Sequence, residues 1–186
     1  MRWYEDLLAR LIGAIPGEPD AVGGTVSLPF SATGYTAASD VAARLVRLTA
    51  AQDEAIALFP PVGEMTFCNE GLQHVARAVG CEDLNGLMAD QELVRVSLLP
   101  DWREDTWARA VAHAQAGGLA FIGWNNPNGH GHVASVAPRP MQVSPSWGVP
   151  VPVLANVGEK NGYLLLSACF REALEHELRC FLWRAA

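Results

Sequence analysis

The chain has 186 residues, of which half are apolar and 18 % charged, and its net charge is −7. That length and apolar share give a globular chain with a full core and exclude a disordered polypeptide. An acidic balance with no clusters of Lys and Arg argues against nucleic acid or an anionic membrane surface as a partner.

At the N-terminus Trp3, Leu7, Leu8, Leu11 and Ile12 recur at helical spacing until "PGEP" breaks the pattern, which predicts a first helix. Glu5 and Asp6 stand where a secretory leader carries positive charge, so no signal peptide and synthesis in the cytoplasm are expected. No apolar run reaches the roughly 18 residues of a membrane span, and no membrane insertion is expected. Residues 17–36 are rich in Gly, Pro, Ser and Thr. Ser39 or Asp40 then serves as N-cap to a second helical pattern that ends before Pro60-Pro61. Residues 1–60 thus read as a helical lead-in, either a separate module or part of the same domain as the rest.

From Cys68 the residues Leu72, Val75, Ala76 and Val79 form one apolar stripe, and Gly80 supplies a C-terminal stop. A further helix fits "REDTWARAVAHAQAGG", followed by a strand at "LAFIGW". The turn "NNPNGHG" links it to a second strand, "HVASVAP", which makes a hairpin. A proline-rich crossing over 138–152 leads to "VPVLANVG" and "NGYLLLSACF". Near the end "LRCFLWR" fits a last strand or the tail of a helix begun at Arg171. Helices first and mostly antiparallel strands afterwards make the fold class α+β.

The four cysteines, Cys68, Cys81, Cys169 and Cys180, include no CxxC pair, which weakens a zinc-ribbon or thioredoxin-like reading. Three of them read as buried small hydrophobes. Cys68 differs, because a thiol at a helix start meets unsatisfied N–H groups and the positive end of the helix dipole, which favour thiolate. A nucleophilic thiolate needs an imidazole to hold its proton, and that imidazole needs an orienting acceptor. His132 opens a strand beside Gly131, and Asn156 is a polar residue among apolar ones in "LANVG".

Taken together, "TFCNEGLQHVARAVG", "GHGHVASVAP" and "PVLANVGEKNG" resemble the papain-like cell-wall amidases of the CHAP and NlpC type, which include phage and type VI secretion amidases. The resemblance covers roughly residues 60–184. It implies a hydrolase domain over 61–186 in which helices pack on an antiparallel sheet, and hydrolysis of an amide in peptidoglycan without a cofactor. By the same resemblance Cys68 is the nucleophile, His132 the general base and then acid, and Asn156 the orienting residue. With a substrate outside the cytoplasm and no leader, it implies delivery to the periplasm or cell wall by a phage or a contact-dependent machine. An immunity protein is the expected partner of such a toxin.

Competing readings follow from the same residues. His130 and His132 share a face on an extended strand, so a metal site with Cys68 and Asp83 or Glu82 is the rival, although its ligand cues are few; no metal is expected. Trp124, Asn125, His130 and Asn69 are the candidates for lining a substrate groove, and Trp124 and Asn125 fit core packing or turn chemistry equally. A cysteine hydrolase or acyltransferase on another amide or ester, and a catalytically silent binding module, are the alternative functions.

Overall fold

The computed structural model describes residues 32–184 apart from residue 128. The helix expected over residues 3–12 lies outside the described residues. Helix α1 spans Ala32–Leu58 and stops before Pro60-Pro61, as the proline pair requires. Its start differs from expectation: Ser39 and Asp40 lie inside the helix, with no proline between Ala32 and Leu58 to stop it, although Thr33, Gly34 and Thr36 are poor helix formers. From Ala32 onward the residues group as one unit.

Helix α2, Cys68–Val79, buries Leu72, Val75 and Ala76 on one face. It ends at Gly80, whose φ of 94° lets its N–H reach Ala76 O and Arg77 O. Helix α3, Ala89–Val96, is an element the sequence reading left unassigned. Strand β1 takes Trp102–Glu104, so Arg103 and Glu104 leave the helix expected to begin there. Helix α4 is Trp107–Gln115, with Thr106 as N-cap accepting from Arg109 N–H. The cause is pairing, since Arg103 and Glu104 register against Leu182 and Phe181.

Strands β2 (Ala120–Trp124) and β3 (His132–Val136) form the predicted antiparallel hairpin, with Trp124 opposite His132. After a small β4–β5 ribbon (Gln142–Val143 and Pro150–Val151) come β6 (Val153–Asn156) and β7 (Gly162–Leu165). A short α5 (Leu166–Cys169) and a 3₁₀ turn over Glu172–Glu177 precede β8, Arg179–Trp183. The sheet runs β1-β8-β2-β3-β6-β7, and every neighbouring pair is antiparallel. The last strand therefore lies inside the sheet. Of the two readings of "LRCFLWR", the strand holds, because Phe181 and Leu182 are buried and each pairs β2 on one side and β1 on the other.

The fold is α+β. Leu48, Leu72, Leu93, Phe121, Leu154 and Phe181 fill the core between helices and sheet, each side chain contributing roughly 2 kcal/mol of burial. Helix α2 lies between α1 and β3, which brings the start of the helix to the strand that His132 opens. Among the described residues no helix is long and apolar enough to cross a membrane.

Candidate active site

His132 and Asn156 come together as the sequence suggests. His132 is the first residue of β3, Asn156 the last of β6, and the two strands are antiparallel neighbours, so both fall at one end of the sheet. Asn156 is 4 % exposed and both ends of its amide are used. Its Nδ2 donates to Lys160 O at 2.7 Å, which leaves Oδ1 to accept from His132 Nε2 at 2.8 Å. A neutral imidazole held this way carries its proton on Nε2 and keeps the Nδ1 lone pair free for a base.

Several residues hold that pair in place. A Cβ at Gly158 would stand 3.2 Å from both Asn156 Nδ2 and His132 Cε1, so glycine lets the loop pass over the pair. Asn161 fixes this loop, accepting from Gly158 N–H at 2.9 Å and donating to Ile56 O and Phe59 O at the end of α1. The Phe170 ring packs on His132 at 5.1 Å between centroids. Burial lowers the His132 pKa from its ordinary value, against the Asn156 bond and the charge of Glu159, so the ring rests neutral.

The cysteine half is different in kind. Cys68 is the first residue of α2, as predicted, and no side chain caps the helix. Gly71 explains how closely α2 approaches the end of β6: a Cβ there would meet Val157 Cγ2 at 2.6 Å. Cys68 is 8 % exposed and borders a small void of about 10 Å³ with Ala55, Leu72, Val75 and Val133. Burial raises its pKa; the Val133 and Asn69 backbone N–H groups pull it down, while Glu92 and Glu70 push it up. The helix start thus does not by itself make a thiolate, because desolvation outweighs the donors. Among the described residues no hydrogen bond joins the thiol to the His132 ring.

The other cysteines are less reactive still, since burial pushes Cys81, Cys169 and Cys180 up to about 12. Of the groove candidates, Asn69 points its amide at Leu87 O, 3.1 Å away, and so ties α2 to the loop before α3. Trp124 donates its indole N–H to Glu177 at 2.7 Å, whereas Asn125 and His130 are exposed on the hairpin turn. The rival zinc constellation does not assemble among the described residues: Asp83 accepts from the Trp102 indole at 2.9 Å and lies against the Cys81 thiol, and no group of three ligand side chains converges.

Sequence reading missed the polar network that joins α2 to α3 and the loop before it. Gln73 accepts from Gly86 N–H and donates to Leu87 O and to Glu92, which is fully buried. Burial, with Glu70 and Asp90 nearby, pushes Glu92 up to about 8. The signal was available: Ala89, Glu92, Leu93 and Val96 share one helical face, so an acid sits in an apolar stripe. Compared with known proteins, the chain matches no family model and no curated sequence.

Proposed function

We propose that this chain is a papain-like cysteine amidase that hydrolyses an amide of peptidoglycan. The observation that carries the reading is the His132–Asn156 pair, with Nε2 bound to a fixed amide oxygen and Nδ1 left as base. It stands on the strand against which the Cys68 helix packs. In the proposed mechanism the thiol turns from the void toward the ring and passes its proton to His132 Nδ1, and Sγ bonds to the scissile carbonyl carbon. The Cys68 backbone N–H at the helix start stabilises the oxyanion. His132 returns the proton to the leaving amine, the C–N bond breaks, and water, activated by the same ring, frees the acyl group from sulfur. Peptidoglycan as substrate rests on the resemblance of the three motifs to CHAP and NlpC-type amidases. Delivery to the wall by a phage or contact-dependent machine, and an immunity partner, rest on the same resemblance.

One observation favours a second reading, the catalytically silent module: the thiol is buried, protonated and not bonded to the ring. Incubation with purified peptidoglycan, followed by mass spectrometry of the fragments, decides between them. New amine and carboxyl ends made by the wild type and not by Cys68→Ala support the hydrolase. Unchanged peptidoglycan, with the protein bound to it, supports the silent module.

A further inference from the structure

Glu92 is 0 % exposed on the core face of α3. Its Oε1 accepts from Gln73 Nε2 at 2.9 Å, while Oε2 is buried without a protein partner. Gln73 cannot turn to relieve this, because its own Oε1 accepts from Gly86 N–H at 3.0 Å and its Nε2 also donates to Leu87 O at 2.7 Å. A second buried carboxylate oxygen without a partner, Glu70 Oε2, belongs to the residue two places after Cys68. The titratable groups that act on Glu92 are Glu70 from α2 and Asp90 from its own helix, and both Glu92 and Glu70 act on the Cys68 thiol. From β2, Gly123 faces Leu93 of α3, whose Cδ2 would lie 2.9 Å from a Cβ built there. Among the described residues no Lys, Arg or His forms an ion pair with Glu92.

A buried carboxylate with one neutral protein donor is far less stable than the acid. Packing alone does not call for an acid here, since a glutamine oxygen would accept the same Gln73 bond. What the acid adds is a negative charge that appears or disappears in the cluster held by Gln73, five residues along α2 from Cys68.

We propose that Glu92 is a positioning acid for Cys68: protonated, it permits the thiol to ionise toward His132, and ionised, it opposes that step with a buried like charge. This rests on the cysteine-hydrolase reading of the site. The proton count is simple, because the thiol proton goes to His132 and Glu92 keeps its own throughout the reaction. As pH rises, the charge on Glu92 grows where thiolate would otherwise form, so the two titrations spread apart.

The test is the rate at which iodoacetamide alkylates Cys68, read by mass spectrometry of its peptide from pH 6 to 10, in wild type and Glu92→Gln. Glu92→Gln should label roughly tenfold faster in the alkaline range, the factor that one unit of thiol pKa carries, and its profile should fit one ionisation where the wild type needs two. Superimposable profiles overturn the proposal. Should Glu92→Gln fail to fold, carboxyl ¹³C NMR of glutamate-labelled wild type takes its place: a buried carboxyl titrating near pH 8 supports the proposal, and none titrating above pH 6 overturns it. Neither readout uses peptidoglycan. A protein that passes them while leaving peptidoglycan uncut has lost the hydrolase reading and kept the coupling of Glu92 to Cys68.

Discussion

The two halves of the candidate site are built by opposite means. On the strand side, His132 is oriented by Asn156, Asn156 by Lys160 O, and the loop above them by Gly158 and Asn161. On the helix side, the Cys68 thiol sits among apolar atoms, with buried Glu92 and half-buried Glu70 acting on it. One half spends its polar groups on geometry and rests ready as a base; the other rests as a neutral thiol. A neutral thiol and a neutral imidazole make a less reactive ground state than a thiolate–imidazolium pair. In the proposed hydrolase, forming the ion pair is then the step that substrate binding must favour.

Removing the sulfur tests the whole comparison. Cys68→Ala should reduce peptidoglycan cleavage at least about 1,000-fold, while costing about 1 kcal/mol of stability because the volume lost is small. Cleavage by this variant at the wild-type rate would end the cysteine mechanism. His132→Ala should cost roughly 100- to 10,000-fold in kcat and slow the alkylation of Cys68, whereas exposed His130→Ala should change neither.

Asn156→Ala keeps the ring and frees its tautomer, so a loss on the order of 100-fold is expected, smaller than that of His132→Ala. It also leaves Lys160 O and His132 Nε2 without their partner, which costs about 1–3 kcal/mol in chemical denaturation. If Asn156→Ala matched the wild type in rate, the ordered half would be a structural device only. Gly158→Ala is the fine adjustment: a Cβ 3.2 Å from both members should shift them by tenths of an ångström and lower kcat several-fold with little change in KM.

The smallest effect concerns pH and stability. Burial lowers the His132 pKa, so the unfolded chain binds its proton first as pH falls below the ordinary histidine range. The sign follows: this contribution to stability is present above about pH 6.5, the unperturbed value, and is lost as pH falls toward the folded pKa. His113 shifts in the same direction, also by burial. The fall in Tm on acidification should therefore shrink, but not vanish, in His132→Gln. An unchanged fall would locate the effect elsewhere.

Local signals made much of the fold legible. Gly80 stopped α2 where a left-handed residue was needed, and "NNPNGHG" between two apolar runs gave the β2–β3 hairpin. Cys68 at a helix start, and His132 and Asn156 at the ends of strands, were readable for the same reason. Helix α3 was not read, because eight residues hold only two turns of pattern and its stripe is interrupted by Glu92. Arg103 and Glu104 read as helix because they precede a good N-terminal signal; cross-strand pairing with β8, some 75 residues away, took them instead.

The sequence by itself determined the period of each element, its stops and the chemical types available at the helix start and strand ends, since these depend on neighbours within a few residues. Tertiary structure decided the rest. It placed β8 between β1 and β2, brought Asn156 to His132, and buried Glu92 against Gln73. The thiol's protonation state belongs to that second class: the helix end that favours a thiolate is local, while the desolvation that opposes it comes in part from residues far along the chain, Ala55 and Val133 among them.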